Sequence, residues 1–301
     1  MAAPRICIIG LGLIGGSLAL ALRRARPSFQ LIGIDADAST RVQALAAGAV
    51  EEASVLAQAR LDDCDAVVLA VPAPALLELV PVVAARMREG AVLTDVCGAK
   101  EAVCALGAEQ SRISFVGAHP MAGTEFRGFA AANAELFCGA TVALCPPRSK
   151  SSTLHASEAA RGANDSGALA LVRELWLAAG AAKLLEVDPE QHDRAVTWAS
   201  HLPYLAAAAV VRSLGHAGAA EELARELAAG GFRDTTRLAG DATVAGAAML
   251  NRFVPGAVRE LAEALRTLAG QLEKDPLRAT ELLAATAEER RGMKLPLKRS
   301  Q

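Results

Sequence analysis

The sequence predicts an α/β protein in which a doubly wound parallel sheet is followed by an all-α domain. Short β-branched runs alternate with helical patterns as far as about residue 188. Beyond that point only helical patterns follow. The 301 residues are enough for two domains, which we place at 1–188 and 189–301.

The first strand of the predicted sheet leads into a glycine-rich loop. "RICII" (5–9) is the strand, and "GLGLIGG" follows it directly with GxGxxG spacing before a helical pattern. The second strand, "LIGID" (31–35), ends at an acidic residue. A strand, glycine loop, helix, strand and acid in this order form the Rossmann dinucleotide-binding fingerprint. The N-terminal domain is therefore predicted to be a Rossmann domain that holds a pyrophosphate at a helix N-terminus.

The acid at the end of the second strand favours NAD over NADP. Asp35 would accept hydrogen bonds from the ribose hydroxyls and repel a 2′-phosphate, and Asp37 adds a second negative charge. No basic residue follows it before Arg41. We assign NAD as the cofactor, and the predicted contacts are Gly10, Gly12, Leu13, Ile14, Gly15, Asp35, Val71, Pro72 and Asp95.

The remaining pattern completes the two domains. Further strands are expected at 65–71, 90–96, 113–119, 141–146 and 182–188, and C-terminal helices at 216–229, 241–252, 255–274 and 276–291. The Ser- and Gly-rich stretch 147–167 predicts a mobile surface loop. Pro81 predicts a break or kink in its helix, and Gly230 and Gly231 predict a helix break followed by a polar loop.

Composition excludes several classes of function. The formal net charge of −2 gives no general attraction to nucleic acid or to an anionic membrane. No apolar stretch reaches the ~18 residues of a membrane helix. The six cysteines form no CxxC pair and no histidine cluster has zinc spacing, so reduced thiols, no metal and a cytoplasmic location are expected.

A histidine stands at the predicted carboxyl end of the strand 113–119. Ligands of open α/β sheets bind outside these strand ends, so His119 is either a catalytic acid/base or a core or turn histidine. The ordinary pKa of imidazole, about 6.5, suits it to accept a hydroxyl proton while hydride leaves the same carbon.

Two further polar clusters follow in the helical part. In "HDRAVTWASHLPY", a helical face carries either a site or the polar stripe of a solvent-facing or interface helix; its residues are Asp193, Thr197, Ser200, His201 and Tyr204. His192, which precedes this face, could cap or orient the helix start, and Pro203 should kink the helix. In "GGFRDTTRLAGD", Arg237 could bind a carboxylate, or it could join a surface ion pair.

Four stretches together resemble the prephenate/arogenate dehydrogenases of tyrosine biosynthesis. They are "IIGLGLIGGSLALAL", "GAHPMAGTEFRGFAAANAELF", "DPEQHDRAVTWASHLPYL" and "GGFRDTTRLAG", in the family's order over residues 5–240. The resemblance implies a helical dimerisation domain, a homodimer and NAD-dependent oxidative decarboxylation of prephenate or arogenate. It implies that His119 accepts the hydroxyl proton. The substrate-binding residues that it implies are Cys97, Gly98, Gly123, Thr124, His201, Tyr204 and Arg237.

The chain departs from the family's pattern at two positions. Relatives commonly carry a serine where this chain has Gly98 in "DVCGAK", so Cys97 or a water would replace it, or the proton path differs. Relatives often end "SHLP" with histidine where this chain has Tyr204, which donates a hydrogen bond but carries no positive charge at neutral pH.

Two alternatives stay open. One is another two-domain Rossmann oxidoreductase, of the β-hydroxyacid or imine-reducing type, which typically uses a lysine on the interdomain helix. That helix here offers His192 and His201 instead. The other is a non-catalytic protein that senses NAD, which only Gly98 favours. The sequence does not choose between prephenate and arogenate.

Overall fold

A computed structural model describes residues 3–124, 126–146, 156–240 and 243–294, without the side chains of 156–164 and 243. Eight strands form one sheet in the order β3-β2-β1-β4-β5-β6-β7-β8. The strands are β1 Arg5–Ile9, β2 Gln30–Ile34, β3 Glu52–Ser54, β4 Ala66–Leu69, β5 Val92–Asp95, β6 Ser114–Pro120, β7 Thr141–Cys145 and β8 Lys183–Glu186. The doubly wound sheet predicted from the sequence is confirmed, and β3 is an addition that the sequence pattern did not reveal.

Two strands, β7 and β8, run opposite to the other six strands of the sheet. β7 runs antiparallel to β6, with His119 opposite Ala143, whereas the other neighbouring pairs are parallel. A parallel strand needs a crossover, usually a helix. The chain between these two strands holds only the short 3₁₀ turn Phe129–Ala131 among its described residues, so β7 returns in the opposite direction.

Both faces of the sheet are covered by apolar side chains. Ile6 and Ile8 of β1 belong to one buried cluster, and Cys7 and Ile9 belong to the other. This alternation shows that the strand is covered on both sides, as a doubly wound sheet requires. The strand ends that carry polar residues therefore rest on a rigid, close-packed base.

Twelve helices are present in the described residues. They are α1 Leu13–Ala25, α2 Ala38–Ala46, α3 Ala73–Ala84, α4 Glu101–Ala108, α5 Ala156–Ala178, α6 Pro189–Val196, α7 Leu202–Ser213, α8 Glu221–Glu226, α9 Gly230–Thr236, α10 Thr243–Leu250, α11 Val254–Lys274 and α12 Pro276–Gly292. None of the described helices is long and apolar enough to cross a membrane.

Three local predictions need correction. α3 continues through Pro81 and ends at Ala84, so the helix does not break at this proline, and a kink there stays a prediction. α5 begins at Ala156, so the second half of the predicted loop 147–167 is helical; its first part, 147–155, lies outside the described residues. The residues of "ASEAAR" are good helix formers apart from one serine, which explains the earlier start.

The glycine pair at 230–231 begins a helix instead of breaking one. α9 starts at Gly230, and its first turn is closed by the amide of Arg233 donating to Ala229 O at 3.1 Å. Glycine is inexpensive at the first helical positions, where the amides have no intrahelical partner. The predicted polar loop is therefore α9 followed by a 3₁₀ turn, Arg237–Gly240.

The kink expected near Pro203 is a widened helical turn. Residues Thr197–His201 form a π-helical turn between α6 and α7, and Pro203 lies in the first turn of α7. Such turns commonly mark functional sites. The chain divides into compact units at 1–254 and 255–301, and the domain boundary at 188 stays a prediction.

Candidate active site

The glycine loop is built by close packing of α1 against β1 and β4. Gly10 has φ of 91°, a backbone conformation that disfavours other residues. A Cβ on Gly15 would lie 1.9 Å from Gly10 O and 2.9 Å from Ala70 Cβ, so only glycine lets the helix start here. A Cβ on Gly12 would meet nothing within 4 Å, which leaves the approach to the helix N-terminus open.

The start of α1 fits an anionic ligand. Its N-cap, Gly12, supplies no side chain, and the first turn holds no acidic residue. The amides of Leu13 and Ile14 therefore lie at the positive end of the helix dipole without a capping side chain. This arrangement accepts a pyrophosphate.

Asp35 lies beside this loop at the end of β2. Its carboxylate accepts hydrogen bonds from the amides of Leu11 at 2.8 Å and Asp37 at 2.9 Å. Arg41 bonds the main-chain oxygens of Asp35 and Ala36 at 2.7 and 2.9 Å. The acid is thereby fixed next to the glycine loop, where the sequence predicts it to face a ribose. Val71 also borders the loop, since its Cγ1 would lie 3.1 Å from a Cβ on Gly10.

His119 belongs to a chain of hydrogen bonds that runs from β6 to α6. Its Nδ1 lies 2.9 Å from Nε2 of His192, and Nδ1 of His192 lies 2.8 Å from Oδ1 of Asp193. Asp193 also accepts from the amides of Lys100 at 2.7 Å and Glu101 at 2.9 Å, at the start of α4. His192 and Asp193 are buried, and His119 is half-buried.

A neutral His192 in this chain fixes the tautomer of His119. The ionised carboxylate of Asp193 only accepts, so Nδ1 of His192 carries the hydrogen that it donates. Nε2 of neutral His192 is then an acceptor, and Nδ1 of His119 must be the donor. The lone pair of His119 consequently lies on Nε2, which is the nitrogen available to take a proton.

The surroundings of His119 favour this neutral form. Burial lowers the pKa of His119 well below its usual range, and the nearby His192, Lys100 and His201 lower it further. Protonation would place a cation next to the buried ammonium of Lys100. The ring is therefore a free base at neutral pH.

Gly98 leaves space directly beside this free nitrogen. A Cβ on Gly98 would lie 3.5 Å from Nε2 of His119 and 3.1 Å from Cβ of Ala247. The thiol of Cys97 is buried in the apolar cluster that also contains Ala247, and burial raises its pKa. In the described residues no hydrogen bond joins this thiol to His119, so Cys97 does not orient the ring there. His192 does so from the opposite side.

Asp95 holds the strand ends together, and its contact with the cofactor stays a prediction. It is fully buried, its carboxylate pairs with the equally buried Lys100, and it accepts from the amides of Cys97 and Ala118. Lys100 also donates to Ala118 O at 2.9 Å. Every polar contact of Asp95 thus supports the backbone next to His119.

The polar face of "HDRAVTWASHLPY" is a buried cluster and not a solvent-facing stripe. Asp193, Thr197 and His201 are at most 1% exposed. The buried amide of Asn251 joins them, with Nδ2 at 2.8 Å from Asp193 O, 3.0 Å from Thr197 Oγ1 and 3.2 Å from His201 Nδ1. Ser200 and Tyr204 are half-buried near this cluster.

The other predicted substrate residues lie on more open surface. Arg237 is exposed at the start of its 3₁₀ turn, and among the described residues neither it nor Arg233 forms an ion pair. Gly123 is exposed beyond β6. Thr124 lines a cavity of about 510 Å³ together with Phe126 and Arg127. His119 does not line this cavity, and the substrate contact of Thr124 stays a prediction.

Sequence reasoning missed two buried residues at this site, Lys100 and Asn251, and it also missed that His192 orients His119. In the sequence His192 lies 73 residues from His119, and no spacing rule joins them. Its position next to an aspartate was the available signal, since paired His and Asp often orient a catalytic base. No group of three or more potential metal ligands occurs in the described part of the chain.

The fold and the site define a Rossmann-type protein with a dinucleotide loop and a histidine base at the carboxyl end of its sheet. Two family models match this chain, the nucleotide-binding domain of prephenate dehydrogenase over 18–182 and its dimerization domain over 188–274. The chain therefore belongs to the prephenate dehydrogenase family.

Individual relatives agree with this membership. The chain is 33% identical to the prephenate dehydrogenase of Bacillus subtilis over 78% of its own length and 60% of that protein, so it spans about three fifths of this curated relative. It is similar to the structure of Synechocystis arogenate dehydrogenase, with 30% identity, a TM-score of 0.71 and coverage of 95% and 98% of the two chains. It is also similar to prephenate dehydrogenase from A. aeolicus in complex with hydroxyphenyl propionate and NAD+, with 26% identity, a TM-score of 0.80 and coverage of 96% and 98%.

Proposed function

We propose that this protein is an NAD+-dependent dehydrogenase that oxidatively decarboxylates prephenate or arogenate. The observation that carries the proposal is the hydrogen-bond chain from Asp193 through His192, which leaves Nε2 of His119 as a base at the carboxyl end of the sheet. The names of the relatives supply the two substrates.

The chain's own residues bind and orient the reactants. Gly12, the first amides of α1 and Asp35 would hold NAD+, which when bound supplies the hydride acceptor. Nε2 of the half-buried His119 takes the proton of the substrate's ring hydroxyl as hydride leaves the same carbon. The exposed guanidinium of Arg237 pairs with a substrate carboxylate.

The decarboxylation follows from the substrate once the hydroxyl carbon is oxidised. The ring carboxylate leaves as CO2, its bonding electrons enter the ring, and the product is aromatic. Aromatisation makes the reaction essentially irreversible, so the protein needs no separate group to drive it. The products would be 4-hydroxyphenylpyruvate from prephenate and tyrosine from arogenate.

The chain lacks the lysine that a β-hydroxyacid-type enzyme would need on the helix between the domains. No lysine occurs between residues 189 and 213, where such enzymes typically place one. The fold alone is shared with a 3-hydroxyisobutyrate dehydrogenase at 18% identity.

We also propose that the protein forms a homodimer through its helical domain. Because all six cysteines are free, we propose a cytoplasmic location.

A steady-state assay with both substrates and both cofactors tests this function. Prephenate or arogenate with NAD+ should produce NADH absorbance, and NADP+ should be the poorer cofactor. His119→Asn should lower kcat by about 10²-fold or more while the Kd for NAD+ stays unchanged. Absence of turnover in all four combinations would reject the function, and equal losses of kcat and NAD+ affinity would reject the role of His119.

A further inference from the structure

Asn251 connects two parts of the candidate site through one side chain. It is 1% exposed and follows α10, whereas its partners belong to α6 and to the π-helical turn Thr197–His201. Its Nδ2 lies within 3.2 Å of three acceptors, namely Asp193 O, Thr197 Oγ1 and His201 Nδ1. Its Oδ1 accepts from the amide of Phe253 at 3.0 Å.

These partners allow only one orientation of the amide. With its oxygen and nitrogen exchanged, Asn251 would place an acceptor 2.8 Å from the carbonyl oxygen of Asp193 and a donor against the amide of Phe253. Both contacts would be repulsive. The nitrogen of Asn251 therefore faces the histidine.

The two amide hydrogens can serve the three acceptors. Thr197 donates its hydroxyl hydrogen to Asp193 O at 2.7 Å, so these two oxygens are adjacent and can share one hydrogen of Asn251. The other hydrogen goes to Nδ1 of His201. That nitrogen must then carry a lone pair, and the proton of neutral His201 lies on Nε2.

The surroundings of His201 support this neutral form. Burial lowers the pKa of His201, while the neighbouring His192 lowers it and Asp193 raises it. The described residues provide no hydrogen-bond partner for Nε2 of His201. The Nε2–H group of His201 is thus available to donate a hydrogen bond close to His119, whose Nε2 is an acceptor.

We propose that Asn251 is a positioning residue that presets His201 as a neutral hydrogen-bond donor to an oxygen of the bound substrate. This inference rests on the proposed function, in which the substrate occupies the space beside His119. His119 and His201 then present opposite hydrogen-bonding characters, since one accepts a proton and the other donates a hydrogen bond. The side chains of Asn251 and His192 enforce the two tautomers.

The tautomer can be measured without any substrate. ¹⁵N-histidine NMR at pH 8.5 on the full-length protein distinguishes a protonated from an unprotonated ring nitrogen, and the signal absent from His201→Gln identifies His201. The expected state is protonated Nε2 and bare Nδ1. A wild-type His201 protonated at Nδ1 would overturn the inference, whether or not the protein turns over prephenate.

Asn251→Asp should reverse the state with almost no change of shape. The new carboxylate only accepts, so Nδ1 of His201 must take the proton and Nε2 becomes an acceptor at this pH. KM for the preferred substrate should rise about 10- to 100-fold, while kcat changes less and the Kd for NAD+ stays unchanged. Thr197→Val is the matched control, since it removes another contact of Asn251 but should keep the tautomer.

A second pair of variants keeps the inference testable if Asn251→Asp fails to fold. His201→Gln retains an N–H donor, whereas His201→Glu offers only acceptors at pH 8.5. KM should therefore be closer to wild type for glutamine than for glutamate. Equal KM values for the two variants would overturn the donor role even where the tautomer is as expected.

Discussion

A buried ion pair between Lys100 and Asp95 influences the protonation of His119. Lys100 and Asp95 are both fully buried, and their ion pair lies under the strand end that carries His119. A buried lysine is costly unless it is paired and hydrogen-bonded, and Lys100 meets both conditions through Asp95 and Ala118 O. Its charge also acts on His119, where it opposes protonation.

The charge of Lys100 should affect the pH dependence of kcat/KM, because it helps to lower the pKa of His119. A base must be unprotonated, so kcat/KM falls on the acid side as pH drops through the pKa of His119. Because this pKa is lowered, the fall should begin below pH 6.5. Replacing the pair with Lys100→Met and Asp95→Asn should raise that pKa and move the acid limb upward by up to about 1 pH unit.

The control for this shift is Lys183→Met, which removes the same charge from the exposed start of β8 and should leave the limb in place. The double variant avoids the unpaired buried carboxylate that Lys100→Met alone would create. Circular dichroism should confirm that the double variant is folded. An acid limb that stays at the wild-type pH would show that Lys100 does not tune His119.

Candidate site residues could be predicted from the sequence where the local pattern determines their position in the fold. His119 and Asp35 could be proposed as site residues because each stands at the end of a strand, and strand ends meet at one edge of a parallel sheet. His192 and Asn251 depend on helices brought to the sheet by tertiary packing, so no local rule places them. The burial of Lys100 was equally hidden, because lysine is almost never fully buried.

At the level of secondary structure, the contact of α1 with the glycine loop leaves no space for a side chain at Gly15. Gly15→Ala should force α1 away from Gly10 and Ala70 and lower the free energy of unfolding by about 1–3 kcal/mol or more. Gly12→Ala should fold, since nothing lies within 4 Å of its Cβ, but should weaken NAD+ binding at least about tenfold. Urea denaturation without cofactor and calorimetric titration with NAD+ measure the two effects.

The two alanine variants separate packing from ligand approach. A Gly12→Ala protein as unstable as Gly15→Ala would mean that the loop is tighter than the geometry indicates. Unchanged NAD+ affinity in Gly12→Ala would mean that the pyrophosphate does not approach this glycine. The same substitution thus tests an internal contact at one position and a ligand contact at the other.

Elements were predictable from the sequence where periodicity or glycine spacing specifies them. The β1 to β2 unit and the helical C-terminal part follow from such patterns, and the structure confirms them. The direction of β7 depended on what connects it to β6, and the start of α9 depended on where its two glycines fall in the helix. Both features require tertiary context beyond the propensity of single residues.

The surface of α11 carries an exposed apolar stripe that indicates how the protein associates with a second copy. Val258, Leu265 and Leu272 recur at intervals of seven and are 38%, 58% and 50% exposed. Leu261 and Leu268 lie between them and are half-buried, so the helix has an apolar stripe of coiled-coil spacing. An exposed stripe of this kind marks an interface, and the matching family domain is a dimerization domain.

We therefore expect a homodimer in which the stripe on α11 is covered. Sedimentation equilibrium should give twice the chain mass of 31.0 kDa, and 1 M NaCl should not dissociate the dimer because its contacts are apolar. Leu265→Glu with Leu272→Glu should weaken dimerisation, since two charges would be buried without partners. Val42→Glu with Leu45→Glu is the matched control, because these exposed side chains of α2 lie outside the matched dimerization domain and should not affect the mass. A wild-type monomer would contradict the homodimer, and a dimer unaffected by both pairs would place the interface on another surface of the helical part.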